Sequence, residues 1–530
     1  MVATDNGTHP LSPSDCSVNP FLWEADGPEL DEHPVIATDD SFALLNNEML
    51  RSGEEPVSHS LFEIFDFNEE IINSDMMSGQ FEDFSEPENL HVAADNSLHG
   101  EQIYNEIPPK LCDQIMNFQG GNGVGTSINN GLDCGVNLSG EEEERVQLVQ
   151  LVLASGEMIG NEEYDDAALL VSKCKKLSSQ LGSPTQRLVY YISDALQQRI
   201  QRNTLGISNN AAKPVSNLAF EIDSLFDVNE FSVLAAYYNS VLPYIKLLQF
   251  TSVQAIIDAV GNEKRIHVID LAMRTGSQWT VLMEFLAHRA ATSTTSRRQF
   301  LKITVVGRNG EELRKIGKRL EELAKSLDIP FSYKMVEIQN LEEIKEGLFT
   351  VKSSEALAVY APIILRSLLY DPVLLVDVLC IFKKLKPRIM VAVEVEAKHN
   401  SSCFVNRLRE VLYNYCAFFD MLDVIFPDRN DIKRVKYEEL LEGNQIRNIL
   451  VFEGKERTIR HVTSDVWRVF FTEAGFKEMS FSFHALYQAR LLLKEYVSGQ
   501  YYTLQPDGHA IIVRWKGTPL MAVSAWTVIK

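Results

Sequence analysis

The stretch that decides the fold is RIHVIDLAMRTGSQW, residues 265–279. Its first half is a short apolar run that ends in an acid, Asp270, which is typical of a buried strand. A loop with a single glycine, Gly276, leads from there into a helical pattern that contains Gln278 and Trp279. Strand, acid, loop and helix begin many enzymes that bind dinucleotides or methyl donors. The stretch therefore leaves two alternatives: an enzyme, or an enzyme-shaped scaffold with another role.

Short apolar runs and helical patterns alternate on the carboxyl side of this stretch. Strands are predicted at 301–307, 333–338, 355–361, 387–397, 446–452, 509–515 and 520–529. Most are followed by helical sequence, which predicts a mostly parallel sheet covered on both faces. The last two strands are separated only by the turn Lys516-Gly517-Thr518-Pro519, so we expect an antiparallel hairpin at the sheet edge. The fold class predicted is α/β, with a Rossmann-like, methyltransferase-like core.

The sequence on the amino side of this core is helical. It begins with EEEERVQLVQLVLASGEMI, residues 141–159, and continues through a Gly-Ser-Pro break at 182–184 and helical patterns at 220–241 and 250–260. We therefore predict an α-helical cap over 141–262 and the α/β core over 263–530. The leucine spacing fits core packing better than a dimer seam, because no three uninterrupted heptads occur, although oligomerisation remains compatible with it.

Residues 1–140 are predicted to form a disordered acidic arm. They hold 26 Asp and Glu against two basic residues, Arg51 and Lys110, whereas the whole chain has a net charge of −23. Acids and aromatic residues alternate at 60–84, a pattern typical of segments that fold onto a partner, as activation domains do. An acidic spacer with a few apolar residues is the equal alternative.

Composition excludes several other classes. The seven cysteines include no CxxC pair and no zinc spacing, which indicates reduced thiols in the nucleus or cytosol. We expect neither a secretory signal nor a membrane span. A near-neutral body argues against binding nucleic acid by charge alone. A local basic groove for direct DNA binding remains an alternative, with candidate residues Arg297, Arg298, Lys383, Lys384 and Lys386.

The signal for a cofactor is weak. A dinucleotide loop needs several glycines, and here only Gly276 follows the strand. The second strand ends in Arg308, where an acid would be needed to bind a ribose. We therefore expect no cofactor, no metal and no catalytic residues. A cavity above Gly276 at the strand ends would favour the alternative of an enzyme or a small-molecule sensor.

Two polar clusters are candidates for a catalytic site. The first follows the strand at 387–397 and comprises Glu394, Glu396, Lys398, His399 and Asn400. Acid–base chemistry is possible for such a set, but capping a helix and anchoring a loop is the commoner role. The second precedes a predicted helix and comprises Arg457, Arg460 and His461, with Trp467 and Arg468 beyond. Two roles are open for this second cluster. Its residues could bind a phosphate or a carboxylate, or they could form Arg-to-acid ion pairs that hold the start of the helix.

Taken together, these motifs resemble the plant-specific GRAS family of transcriptional regulators over about 145–530. Ile266, His267, Val268, Ile269 and Asp270 stand at the family's VHIID motif, with Gly276, Gln278 and Trp279 at its spacing. The first leucine-rich region precedes this motif, and the second one, the PFYRE region and the SAW region follow it in order. The residues that match the last regions are Arg457, Arg460, His461, Trp467, Gly475, Trp515, Ser524, Ala525 and Trp526.

The resemblance implies a non-enzymatic regulator of transcription in the nucleus, with possible presence in the cytoplasm. Its implied partners are DNA-binding transcription factors and other GRAS proteins, as homo- or heterodimers, and DNA would be contacted indirectly or weakly. Asp270 is then expected to cap the following loop through backbone N–H groups, with Trp279 packed beneath it. The core is similar to the DELLA branch, but the arm has neither a DELLA nor a TVHYNP sequence, so no control by a gibberellin receptor is implied.

Overall fold

The computed structural model describes residues 140–205, 238, 241–292 and 298–529. The predictions for the acidic arm, except at its last residue, and for most of the helical pattern at 220–241 fall outside these residues. None of the helices within the described ranges has both the length and the apolar character that a membrane span requires.

Within the described residues, four helices precede the sheet: α1 (Gly140–Gly160), α2 (Tyr164–Leu177), α3 (Pro184–Thr204) and α4 (Pro243–Val260). The predicted Gly-Ser-Pro break is confirmed as the start of α3. Ser183 and Gln186 form a reciprocal capping box there, with Pro184 as the first helical residue. Helix α4 begins seven residues before the helical pattern predicted at 250–260, because Pro243 is also tolerated in a first helical turn.

Five parallel strands form one half of the sheet: β1 (Arg265–Asp270), β2 (Phe300–Gly307), β3 (Phe331–Glu337), β4 (Ala356–Pro362) and β5 (Ile389–Val395). The intervening helices are α5 (Ser277–Thr292), α6 (Gly310–Ser326) and α7 (Pro372–Lys384). Asn309 caps α6 by accepting hydrogen bonds from Glu311 N and Glu312 N. The α/β prediction is thereby confirmed.

The other half of the sheet is antiparallel and larger than the predicted hairpin. It contains β6 (Phe476–Met479), β7 (Tyr502–Asp507), β8 (Ala510–Trp515) and β9 (Thr518–Val528), and the strand order is β3-β2-β1-β4-β5-β9-β8-β7, with β6 also paired to β9. The predicted hairpin of β8 and β9 is confirmed, but its position at the edge is wrong. Strand β9 lies inside the sheet between β5 and β8, and β7 forms the edge.

The hairpin turn contains only two residues. Trp515 pairs with Thr518, and Lys516 and Gly517 between them both have positive φ, at 45° and 89°. Two consecutive positive φ values characterise the tight turn that suits the twist of a hairpin. Thr518 and Pro519, which the sequence placed in the turn, therefore already belong to β9.

The strand predicted at 446–452 is wrong, because the chain is helical there. After β5 the helices are α8 (Phe404–Ile425), α9 (Ile432–Tyr437), α10 (Asn444–Val451), α11 (Ser464–Glu473) and α12 (Phe483–Lys494), and a π-helical segment, Glu438–Gly443, joins α9 to α10. Ile446, Ile449 and Leu450 are all fully buried. Their spacing of three and four residues is that of one helix face, which a short apolar run does not distinguish from a strand.

The parallel half of the sheet has an apolar core on each face. Ile266 and Val268 of β1 belong to one buried cluster and Ile269 to the other, as alternation along a strand requires. A third cluster joins α1, α2 and α3 to α8 and α10. The helical layer thus includes α8 and α10, which lie in the predicted α/β core of residues 263–530.

A buried ion network connects this helical layer. The Arg187 Nε of α3 donates to Glu438 Oε1 at 3.0 Å, and Arg434 NH1 donates to the other oxygen of Glu438 at 2.7 Å. Arg187 also pairs with Asp423 of α8 at 2.7 Å. Because Arg187, Arg434 and Glu438 are fully buried, removing one member would leave a buried charge without compensation.

Strand β9 gives the first prediction, because it carries a buried aromatic anchor. Trp526 is 1% exposed, stacks on Phe471 of α11 at 4.3 Å between ring centroids, and donates from Nε1 to Ser524 Oγ at 2.9 Å. We expect Trp526→Ala to lower the free energy of unfolding by roughly 3–5 kcal/mol, measured by urea denaturation of the full chain. Trp526→Phe, which keeps a ring on Phe471, should lose clearly less. An unchanged melting temperature with selective loss of one partner would instead identify the SAW residues as a binding surface.

Candidate functional site at the strand ends

The site suggested by the sequence lies at the carboxyl end of β1, where Asp270 is fully buried. Its Oδ1 accepts from Ala272 N at 3.0 Å, and its Oδ2 accepts from Gln278 Nε2 at 3.0 Å and from Trp279 Nε1 at 2.8 Å. Burial raises the pKa of this carboxyl to about 6 despite the three donors. The expected cap of the loop is therefore present, and Trp279 takes part in it through its indole N–H.

The single glycine of this loop is explained by packing. Gly276 has a φ of +79°, and a Cβ there would lie 2.9 Å from Ile316 Cγ2 of α6. Any other residue would therefore be strained and would press on α6. Trp279 packs edge-to-face on Tyr360 of β4, with ring centroids 5.6 Å apart. The loop thus closes onto the neighbouring helix and strand.

The second strand does not provide a ribose-binding acid. Arg308 follows β2, and its Nε donates to the carbonyl oxygen of Gln339 at 2.6 Å, while NH2 donates to Asn340 Oδ1 at 3.4 Å. The guanidinium therefore anchors the loop that follows β3.

His267 lies inside the sheet and is fully buried. Its Nε2 is 2.8 Å from Thr304 Oγ1 of β2, and its Nδ1 is 3.2 Å from Glu355 Oε2. Burial, reinforced by the nearby Lys302 charge, lowers the pKa of the imidazole to about 4. His267 is therefore neutral at pH 7 and joins adjacent strands.

Two further histidines form a buried chain with an arginine. Arg366 NH1 donates to His461 Nε2 at 2.8 Å, and His461 Nδ1 lies 2.8 Å from His399 Nδ1. Since Nε2 of His461 accepts, its proton lies on Nδ1 and is donated to His399. Burial lowers the pKa of both rings, that of His399 to about 4. Both are thus neutral at pH 7, and the structure brings together residues from the two polar clusters.

Arg457 and Arg460, which precede α11, are held by backbone and amide oxygens. Arg457 NH1 donates to the carbonyl oxygen of His399 at 3.0 Å, and Arg460 donates to Asn400 Oδ1 at 2.7 Å and to the carbonyl oxygens of Arg457 and Gly454.

The predicted Arg-to-acid pairs at the helix start are formed by Arg468 of the same cluster. Its guanidinium pairs with Asp465 in the first turn of α11 at 2.5 Å, with Glu478 at 3.1 Å and with Asp507 at 3.0 Å.

Glu396 performs the helix-capping role expected of its cluster. Its carboxylate accepts from Ser464 N at 3.0 Å and from Ser464 Oγ at 2.6 Å. Ser464 is the first residue of α11, where a carboxylate also interacts favourably with the helix dipole. Glu396 therefore connects the end of β5 to α11.

The remaining motif residues lie in or near the antiparallel half of the sheet. Trp467 is buried on α11, and Gly475 has a φ of +84° at a point where a Cβ would lie 2.4 Å from Lys383 Nζ. Trp515 Nε1 donates to Asp420 Oδ2 of α8 at 2.6 Å. Ala525 pairs with Val391 of β5. These residues bind helices α7, α8 and α11 to the sheet.

A cavity of about 120 Å³ lies beside this site. Its floor is formed by the carboxyl ends of β1, β4 and β5, and α4, α8 and the π-helical segment form its other walls. Ala272, Arg274 and Gln278 of the β1 loop line it, but Gly276 does not. A cavity at the strand ends, which would favour a small-molecule sensor or an enzyme, is therefore present. It lies beside Gln278 and not above Gly276.

Sequence reasoning missed the polar residues of this cavity. Arg366, Asn414 and Glu442 line it and are 5%, 1% and 3% exposed. Each belongs to a segment that reads as ordinary helical sequence, and Glu442 lies in EELLEG, which resembles a solvated helix face. No signal in the sequence places them together. Within the described residues, no cluster of His, Cys, Asp and Glu is arranged to hold a metal ion.

The buried Glu442 gives a prediction of pH dependence. Burial raises its pKa to about 8, with Glu438 acting in the same direction, while Tyr437 and Arg366 oppose the shift. Because the pKa of Glu442 is higher in the folded state than in the unfolded state, the folded protein holds this proton more tightly. The free energy of unfolding is therefore highest below the unfolded-state pKa and falls as the pH rises towards 8. Glu442→Gln should remove this loss. Relative to the parent, the variant should gain a few kcal/mol, as an order of magnitude, between pH 5 and pH 9.

The measurement is urea denaturation of both chains across that range, with Glu439→Gln as a control because Glu439 is an exposed neighbour on the same segment. The control should follow the parent at every pH. If the free energy of unfolding changed with pH in the same way for the parent and for Glu442→Gln, a neutral, buried Glu442 would be contradicted.

Comparisons with known proteins agree with this arrangement. The profile of the GRAS domain family matches residues 148–527. The DELLA protein GAI1 of Vitis vinifera is 30% identical over 389 residues, which are 73% of this chain and 62% of that protein. The DELLA protein GAI of Arabidopsis thaliana is 30% identical over 453 residues, covering 81% of this chain and 80% of its own length.

A solved structure is also similar. The crystal structure of SCL7 from Oryza sativa has a TM-score of 0.60 at 27% identity, and the match covers 72% of this chain and 99% of that one. The matched part of this chain thus spans less than two thirds of the length of the grapevine relative. The chain belongs to the GRAS domain family, whose members are plant transcriptional regulators.

Proposed function

We propose that this protein is a non-enzymatic regulator of transcription that acts in the nucleus by binding DNA-binding transcription factors and other members of its family. In this proposal residues 141–530 are the interacting GRAS domain, and the acidic arm provides a further partner-binding segment. The observation that carries the proposal is the state of Asp270. Three donors from its own chain occupy the carboxylate that a cofactor enzyme would direct at a ligand.

The histidines support the same conclusion. His267, His399 and His461 are buried, and burial lowers the pKa of each ring. A general base needs a pKa near the working pH and a path to its substrate. Rings that are buried and bonded to Thr304, to each other and to Arg366 serve packing better than proton transfer.

Exposed apolar side chains support an interaction surface on the first helices. Of the large hydrophobic residues that are exposed in the described ranges, several fall within 164–205: Leu169, Leu177, Leu181, Tyr190 and Leu205. Leu169 and Leu177 are eight residues apart on α2, which places them on the same side of the helix. Exposed apolar residues grouped in this way are typical of protein-binding surfaces.

Direct DNA binding has less support. Arg298 forms an ion pair with Asp328 on the surface, so part of its charge is neutralised. Arg297 lies outside the described residues, and Lys383 packs near Gly475 at the end of α7. Lys384 and Lys386 are exposed near the same helix end. A few lysines at one helix end fall short of the patch or stripe of Lys and Arg that marks a face binding nucleic acid.

The proposal is tested with the full chain and a matched pair of variants. We expect affinity capture from plant nuclei to enrich identified transcription factors and GRAS proteins. Leu169→Glu combined with Leu177→Glu should lose family members from the capture, whereas Ala168→Glu combined with Ser172→Glu, at exposed positions on another side of the same helix, should retain them. Circular dichroism of the purified variants must show that all of them fold equally well.

Two outcomes would contradict the proposal. A purified chain that selects one sequence from random duplex DNA with nanomolar affinity would be a direct DNA reader. A clear thermal shift with S-adenosylmethionine, NAD or NADP would indicate a cofactor enzyme, since ligand at 100 times its dissociation constant adds about 2.7 kcal/mol. We expect neither result.

A further inference from the structure

We propose that the cavity at the strand ends, whose walls include Gln249, Arg366 and Asn414, binds a small organic acid that has an apolar ring and a hydroxyl or amide N–H donor. This site is separate from the surfaces that would bind other proteins. It would make the regulator responsive to a metabolite.

The acid is inferred from Arg366. This side chain is 5% exposed and lines the cavity. Its NH1 donates to two uncharged acceptors, His461 Nε2 at 2.8 Å and Gln445 Oε1 at 3.3 Å. Among the described residues, no carboxylate forms an ion pair with its guanidinium. A buried cation is costly unless an anion pairs with it, and a ligand carboxylate matches the guanidinium geometry.

Glu442 lies on the same wall but does not act as that anion. Its pKa is raised to about 8 by burial, so most of it is uncharged at pH 7. Tyr437, Glu438 and Arg366 act on its pKa, of which Tyr437 and Arg366 favour the ionised form, and Gln445 Nε2 donates to its Oε2 at 3.4 Å. A ligand carboxylate at Arg366 would further favour the neutral form of Glu442.

The hydrogen-bond donor on the ligand is inferred from two amides. Asn414 of α8 is 1% exposed and lines the cavity, and its Nδ2 donates to the carbonyl oxygen of Pro519 at 3.0 Å. Its Oδ1 has no hydrogen-bond partner within the described part of the chain. Gln249 Oε1, on the α4 wall, likewise has no hydrogen-bond partner within the described residues. Two acceptors without donors suit a ligand hydroxyl or amide N–H, because leaving buried acceptors unpaired costs stability.

The apolar part of the ligand is inferred from the remaining walls. Tyr244, Tyr360, Tyr415 and Phe418 provide aromatic surfaces, and Val393 is one of the aliphatic residues of the floor. The volume of about 120 Å³ has room for on the order of ten water molecules, since one needs roughly 10–15 Å³ on this measure. A single substituted ring fits this space, whereas a dinucleotide does not.

The test uses two probe acids, 4-hydroxyphenylacetate and 4-hydroxycyclohexanecarboxylate, each compared with its neutral amide. Binding to the purified full chain is measured by ligand-observed NMR and by calorimetry. For a probe of about eleven non-hydrogen atoms we expect a dissociation constant between roughly 10 µM and a few millimolar. The acid should bind at least about tenfold more tightly than the amide, as a charge-assisted bond requires.

The variants assign this preference to the cavity. Arg366→Gln should reduce the ratio of acid to amide affinity to near one, while Arg388→Gln, which changes a surface arginine, should leave the ratio intact. Gln249→Leu should weaken both probes, while Gln254→Leu on the same helix should not. Ala272→Met should abolish binding by filling the cavity. If Arg366→Gln does not fold, Ala272→Met and Gln249→Leu still test the site, because Ala272 and Gln249 are only partly buried.

Each other outcome would overturn the proposal. Failure of both acids to bind at 10 mM would exclude an acid site, taking that concentration as about tenfold above a millimolar dissociation constant. Binding that survives Ala272→Met would place the probe elsewhere on the protein. Equal affinity for acid and amide in the parent would remove the role of Arg366.

Discussion

The hydrogen bonds accepted by the Asp270 carboxylate hold the centre of this structure in place. One oxygen holds Ala272 N, and the other holds the side chains of Gln278 and Trp279, so a single residue connects the end of β1, its loop and the first turn of α5. In related folds this position faces a cofactor phosphate or ribose. Here the loop is closed instead by its own side chains, and Gly276 lets it pack against Ile316. An enzyme-like topology is thereby combined with a structural loop.

The carboxyl-terminal part of the chain completes what the parallel strands begin. Strand β9 pairs with β5, β8 and β6, so its middle residues 521–523 and 525–526 have strand partners on both sides. Trp526 and Trp515 extend this pairing to α11 and α8 through a ring stack and a hydrogen bond to Asp420. Residues that are distant in sequence thus meet at one strand, which explains why family motifs are found from the first helix to the last strand.

Sequence reasoning predicted the elements that have strong local signals. The apolar run ending in Asp270, the Gly-Ser-Pro break at 182–184 and a hairpin turn at Lys516-Gly517 depend on neighbours in sequence, and the structure contains all three. It failed at 446–452 because seven apolar-rich residues fit a strand or a helix equally well. It missed β7, whose Pro506 is tolerated only because β7 is an edge strand.

The candidate site was predicted less completely than the fold. The contacts of Asp270 lie within nine residues of it, so the motif itself indicates them. The cavity depends on Arg366, Asn414 and Glu442, which come from separate elements and meet only when the helical layer packs on the sheet. These residues are recognised as a possible binding site by their burial and by missing hydrogen-bond or ion-pair partners. Both are properties of the folded chain and not of the sequence.

The most direct test of the account is a double-mutant cycle between Asp270 and Trp279, measured by urea denaturation of the full chain. We predict that Asp270→Ala and Trp279→Phe each destabilise the protein. Because both remove the same hydrogen bond, the loss in the double variant should be smaller than their sum by about 1 kcal/mol or more. Additive losses, or an Asp270→Ala variant with an unchanged unfolding midpoint, would contradict the claim that this carboxylate serves the structure of the loop.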